Sequence, residues 1–78
     1  MKKSIVKEII MAYKGDNKVN DNMKAIAMYY ITSQPLAVRI KMMEYMDDVF
    51  KRRSGVIFIK RFQAMLDECG VDGTVTEI

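Results

Sequence analysis

The sequence predicts an all-α protein, a compact bundle of four helices. Its 78 residues suffice for a single hydrophobic core, because a chain this short buries too little surface to build two. Apolar residues recur three and four positions apart over most of the chain, which is the spacing of one helical face. Glycine, proline and short polar segments separate four such stretches. The predicted helices therefore cover residues of about 2–14, 22–32, 36–53 and 56–69.

The first predicted helix is amphipathic. Ile5 and Ile9 lie four residues apart on one face, and lysines form a stripe beside them. Gly15 follows the last periodic residue, where a left-handed cap is favoured. A short polar connector comes next, in which Asn20 or Asp21 can cap the following helix.

The second predicted helix is apolar almost all round. Between Met23 and Ile31, Lys24 is the only charged residue. A helix of this kind is either central in a core or covered by a partner. Because so small a domain cannot easily enclose it, we expect part of its surface to be contact surface.

The third predicted helix is the longest, and its apolar arc covers more than half of the circumference. Pro35 stands at its start, where the missing N–H costs nothing. Opposite charges three or four residues apart, Lys41 with Glu44 and Asp48 with Arg52, indicate a solvated side. We expect the other helices to pack around this one.

Two signals compete in the fourth stretch. Residues 56–59 have strong strand propensity. However, Phe58, Phe62 and Leu66 recur at helical spacing, and this longer pattern favours a helix. Gly70 then occupies the position of a helix stop.

The end of the chain is predicted to be a loose tail. Val71 can fold back on Leu66 in a Schellman-type cap. After it, residues 71–78 alternate only weakly between apolar and polar. The predicted organisation is a single helical domain of residues 1–70 followed by this C-terminal tail.

The absence of histidine and the single cysteine exclude several kinds of site. A histidine-based catalytic triad, a histidine-ligated zinc site and an internal disulfide cannot form within the chain. Cys69 falls on the core face of the fourth helix, where a thiol is inert. The string Tyr45–Asp48 matches the metal-binding YMDD string of reverse transcriptases, but adjacent aspartates on a helix diverge by about 100°. We therefore expect no enzyme activity, no metal and no cofactor.

Neither a signal peptide nor a membrane span is predicted. Lys7 and Glu8 interrupt the apolar stretch that follows the first lysines. The longest uncharged apolar run, Ala25–Ile31, is far shorter than the ~20 residues that cross a bilayer. We expect a soluble cytoplasmic protein.

Methionine and tyrosine side chains are concentrated on the second and third predicted helices. Methionine suits adaptable binding surfaces, and tyrosine is enriched at interfaces. Core packing is the alternative for the methionines, and for Arg39 the alternative is a side chain that extends to solvent at the helix end. The predicted partner-binding set is Met23, Met28, Tyr29, Tyr30, Arg39, Met42 and Met46.

The net charge of +3 is unevenly distributed. Residues 1–62 carry a net charge of +7, and residues 63–78 carry −4. Five cations without an intervening acid form a predicted polyanion-binding cluster, composed of Lys51, Arg52, Arg53, Lys60 and Arg61. Favourable charge at the C-terminal end of the third helix is the alternative explanation.

These features predict a small non-enzymatic regulatory or inhibitory protein that docks on a protein partner through an apolar Met/Tyr-rich face. A second copy of the chain can cover the same face, so a homodimer is also expected. Compact basic helical proteins of this size are common among phage and mobile-element accessory factors. The alternative function is binding of RNA or DNA, largely independent of sequence, through the basic cluster.

Overall fold

Four helices form the bulk of the structure, a computed structural model in which residues 2–76 are described. They are α1 (Ile5–Ala12), α2 (Asp21–Thr32), α3 (Leu36–Phe50) and α4 (Gly55–Glu68). Two three-residue strands, β1 (Lys2–Ser4) and β2 (Thr74–Thr76), pair in antiparallel register with Lys3 opposite Val75. The predicted all-α bundle of four helices is confirmed.

The helices pack in a ring around one core. α1 packs against α2 and α4, and α3 packs against the same two helices. Two edge-to-face ring pairs connect them: Tyr30 with Phe62 between α2 and α4, at 6.3 Å between centroids, and Phe50 with Phe58 between α3 and α4, at 5.6 Å. The buried side chains are Ile5, Ile9, Met23, Ala27, Tyr30, Ile31, Met42, Val49, Phe58, Phe62, Met65, Leu66 and Cys69.

Side-chain caps fix the start of three helices. The oxygens of Ser4, Asn20 and Ser54 each accept a hydrogen bond from the backbone N–H three residues later. α3 instead begins after Pro35, without a side-chain cap. The predicted cap of α2 is thereby confirmed, with Asn20 as the capping residue.

The first and third helices are shorter than predicted. α1 begins at Ile5 because Ser4 caps it, and it ends at Ala12, before Gly15. α3 ends at Phe50 rather than at residue 53. There the carbonyl of Arg53 accepts a hydrogen bond at 2.9 Å from Val19 N–H, in the connection between α1 and α2.

The end of α4 has the predicted cap. Gly70 has φ of 70°, and its N–H donates to the carbonyl of Asp67 at 3.2 Å. Val71 N–H donates to the carbonyl of Leu66 at 3.1 Å. These two bonds are those of a Schellman motif, in which a glycine takes the left-handed position.

Residues 71–76 of the predicted C-terminal tail lie against the helical domain. Gly73 is buried with φ of 75°, and its carbonyl accepts a hydrogen bond from Ile5 N–H at 2.8 Å. The backbone and hydroxyl of Thr74 donate to the carboxylate of Asp72, which holds the turn before β2. Residues 77–78 lie outside the described part of the chain.

Replacing Gly73 tests whether this segment contributes to stability. A Cβ at residue 73 would lie 3.1 Å from Leu66 Cδ1, whereas a Cβ at Gly70 would meet nothing within 4 Å. Both glycines have positive φ, so each alanine variant carries a similar backbone penalty of about 1–2 kcal/mol. We expect Gly73→Ala to lower the free energy of unfolding by about 1 kcal/mol more than Gly70→Ala in urea titrations. Equal losses would show that the segment does not pack on Leu66.

Candidate protein-binding surface on α3

Three of the seven residues in the predicted partner-binding set lie in the core. Met23, Tyr30 and Met42 are each at most 2% exposed. Burial raises the pKa of the Tyr30 phenol, which therefore remains protonated. A single copy of the chain encloses these three side chains, so they are removed from the candidate surface.

The other four members of that set remain accessible to different degrees. Tyr29 is 69% exposed, and Met28 is also on the surface. Arg39 and Met46 are half-buried, and Met46 packs against the core. Contact between these four residues and a partner stays a prediction.

A different set of apolar side chains is exposed on α3. Leu36, Ile40 and Met43 are 62%, 54% and 59% exposed. Their spacing of four and three residues places them in one row along the helix. We call these three residues the α3 stripe.

The α3 stripe lies on the side of the helix that faces away from the core. Ile40 and the buried Val49 are nine residues apart, which at 3.6 residues per turn corresponds to opposite sides. Met42 is fully buried, whereas its neighbour Met43 is more than half exposed. The apolar arc predicted from the sequence thus divides into an inner half, which packs in the core, and an outer half, which is free.

Two opposite charges border the α3 stripe, one on each side. The Arg39 side chain forms no hydrogen bond or ion pair with any residue from 2 to 76, although it is half-buried. Glu44 is exposed on the other side and is likewise without an ion pair within those residues. A half-buried guanidinium without a carboxylate is available to pair with a partner's acid.

A second apolar surface lies between α1 and α2. It is a groove of about 300 Å³, and one of its walls carries the ion pair of Lys3 with Glu8 at 3.4 Å. Tyr29 belongs to this groove and not to the α3 stripe. The remaining residues that line it are Ile5, Ala25 and Ile26.

Asp48 forms ion pairs with three of the five residues of the predicted basic cluster. The Asp48 carboxylate forms ion pairs with Arg52 and, at 3.9 Å each, with Lys51 and Arg61. Arg52 also donates through Nε to the carbonyl of Asp48 at 3.0 Å. The predicted Asp48–Arg52 pair is confirmed, and these bonds anchor one side of the cluster to α3.

Cys69 lies in the core as predicted. The residue is 9% exposed, and burial raises the pKa of its thiol. The thiolate, which is the nucleophilic form, is therefore disfavoured at this position.

No family model matches the chain, and no curated protein or solved structure is detectably similar to it. Within the described part of the chain, no helix combines the length and apolar character needed to cross a bilayer. The function is therefore inferred from the geometry of the surface.

The ion pairs of Asp48 predict a pH dependence of stability. The hydrogen bond from Arg52, and then the charges of Arg52, Arg61 and Lys51, hold the pKa of Asp48 below its ordinary value of 3.8. A lowered pKa in the folded state contributes stability above the ordinary value, and this contribution is lost as the pH falls through the lower folded value. We expect urea titrations between about pH 5 and pH 2 to show a smaller loss of stability in Asp48→Asn than in the wild type.

The neighbouring carboxylate provides the control for that measurement. Asp47 is exposed and forms no ion pair with residues 2–76. Asp47→Asn should retain the acid sensitivity of the wild type. If Asp48→Asn and the wild type lose stability in parallel, the ion pairs of Asp48 do not contribute to folding.

Proposed function

We propose that this chain is a small non-enzymatic regulatory or inhibitory protein that docks on a protein partner through the α3 stripe. The observation that carries the proposal is the position of Leu36, Ile40 and Met43, each more than half exposed on the outer side of α3. Single exposed apolar residues are common on protein surfaces, but contiguous ones mark interaction sites. Its size and basic composition are those expected of an accessory factor of a phage or mobile element.

Burial of the α3 stripe under a partner would contribute favourably to the free energy of binding. Complete burial of a large aliphatic side chain is worth about 1.5–3 kcal/mol, and these side chains are already partly covered. The three together would therefore contribute about 3 kcal/mol. This suffices for the centre of an interface, whose rim must supply the remaining affinity and the specificity.

The partner element that fits this surface is a helix. A row at i, i+4 and i+7 is the pattern by which helices pack side by side, with apolar residues in the seam and charges beside it. The partner helix should carry a carboxylate that reaches Arg39 and a cation that reaches Glu44.

A second copy of α3 meets this description. In a parallel pair of helices, the charged residue on one side of the seam contacts the residue five positions later on the other helix. Arg39 and Glu44 are five positions apart and border the seam on opposite sides. Two identical copies would thus form two symmetric Arg39–Glu44 pairs around the apolar residues.

The first test is self-association. Sedimentation velocity over a range of concentrations should show a dimer for the wild type and a monomer for a variant with Leu36→Gln, Ile40→Gln and Met43→Gln. A control variant with Val56→Gln and Ile57→Gln removes exposed apolar residues from α4 and should behave as the wild type. Arg39→Glu should weaken the dimer, and the exchange variant with Arg39→Glu and Glu44→Arg should restore it.

The second test addresses a different protein partner. The wild type, the triple glutamine variant and the α4 control are immobilised and exposed to a lysate of the organism that encodes the chain. A partner of the α3 stripe is retained by the wild type and by the control, and its retention falls at least tenfold with the triple variant. If the triple variant matches the wild type in both tests, the proposed docking surface is wrong.

A further inference from the structure

Cations from three separate parts of the chain meet at one groove that the sequence did not indicate. The groove has a volume of about 420 Å³ and lies where the start of α2 approaches the end of α3. Phe50 and Val19 form its apolar surface. The cations that line it are Lys18, Lys24, Lys51, Arg52 and Arg53.

Backbone hydrogen bonds fix Lys18 beside the end of α3. Lys18 and Ser54 form an isolated antiparallel bridge, and Val19 N–H donates to the carbonyl of Arg53 at 2.9 Å. Gly55 N–H donates to the carbonyl of Asn17 at 3.2 Å, and Ser54 Oγ lies 2.9 Å from Asn17 Oδ1. These hydrogen bonds hold the connection between α1 and α2 against the connection between α3 and α4.

The concentration of positive charge exceeds what folding requires. Lys51, Arg52 and Arg53 lie at the C-terminal end of α3, where cations interact favourably with the helix dipole. That explanation does not apply to Lys18 or Lys24, which belong to other parts of the chain. Asp48 pairs with two of the five cations, and no acidic residue is found among the described residues that line the groove.

We infer that this groove binds the phosphate backbone of double-stranded nucleic acid without reading its sequence. Five cations along one groove suit a ligand that presents phosphates at regular intervals. A single small anion is a poorer fit, because Lys18, Lys24, Lys51 and Arg53 are all exposed and hold no enclosed binding position.

Among its described residues, the groove lacks the free aromatic side chains that favour single strands and the amide side chains that read adenine. Single-strand binding relies on aromatic side chains on which bases stack. Phe50 is the only aromatic residue that lines the groove in the described part of the chain, and its ring is engaged by Phe58. No asparagine or glutamine, the residues that read adenine, is among those lining residues.

This site differs from the basic cluster that the sequence indicated. Lys60 and Arg61 belong to α4, and neither lines the groove. Arg61 instead lines a cavity of about 260 Å³ together with Asp48 and Glu68. Lys18 and Lys24 line the groove instead. Replacing this pair, or replacing Lys60 with Arg61, therefore distinguishes binding in the groove from attraction by net positive charge.

The test compares two variants with the same net charge. A labelled duplex of about two helical turns and mixed sequence is titrated with the full chain at several salt concentrations. Five phosphate contacts give a slope of about −4.5 for the logarithm of affinity against the logarithm of salt, so the affinity of the wild type should fall about 500-fold between 50 and 200 mM. Lys18→Gln with Lys24→Gln should reduce the slope to about −2.7, and the fall to about 40-fold.

The control variant carries Lys60→Gln and Arg61→Gln and should retain the slope of the wild type. Circular dichroism of both double variants verifies that the fold is intact. Equal weakening by the two variants would show that net charge, and not the groove, binds the duplex. Tighter binding of a single strand of equal length, or equal binding of polyglutamate, would also overturn the inference, as would a wild type that does not bind the duplex at 50 mM salt. The site does not depend on the α3 stripe, so the outcomes of the two proposals are independent.

Discussion

The structure depends on a constraint of size: one small core can accept only one side of α3. The inner face of α3 packs against α2 and α4, and its outer side chains stay exposed among residues 2–76. Met42 and Val49 occupy the inner face and are fully enclosed by the other helices. Leu36, Ile40 and Met43 are then left outside, because the same helical turn cannot direct them inward as well.

Hydrogen bonds between segments that are distant in sequence fix the loops of this small domain. The hydrogen bond from Ile5 N–H to the carbonyl of Gly73 holds the segment after α4 against the start of α1. At the two connections near Asn17 and Ser54, backbone and side-chain hydrogen bonds hold one loop against the other. Such contacts are important in a domain with so few core residues, because they fix loops that the core does not reach. The hydrogen bonds between these two connections bring the cations of the basic groove together.

Local signals predicted the helices, whereas long-range contacts determined the surfaces. Asn20 and Ser54 could be recognised as caps, and Gly70 as a helix stop, because each acts within one turn of its own position. The inward orientation of Met42 and the outward orientation of Met43 could not be predicted. An apolar arc wider than half a turn leaves several rotations of α3 equally acceptable, and only the packing of α2 and α4 selects one.

The same reasoning explains the other differences. The weak alternation of residues 71–78 predicts a tail, and it does not reveal that residues 74–76 return to pair with the first strand. Lys18 and Lys24 are distant in sequence from Arg53, so the sequence does not indicate that they belong to the same basic cluster. The bridge between Lys18 and Ser54, and the groove that all three cations line, show that they share a surface.

The most direct measurement of the central claim is the stability of the chain after its outer α3 residues become polar. Glutamine is a good helix former, so the variant with glutamine at residues 36, 40 and 43 retains the helix while losing its exposed apolar groups. At concentrations where the chain is monomeric, its free energy of unfolding should lie within about 0.5 kcal/mol of the wild type. Met42→Ala, one residue from the stripe, should lose about 2–5 kcal/mol. A loss above about 2 kcal/mol in the triple variant would contradict the account, because it would place these residues within the core.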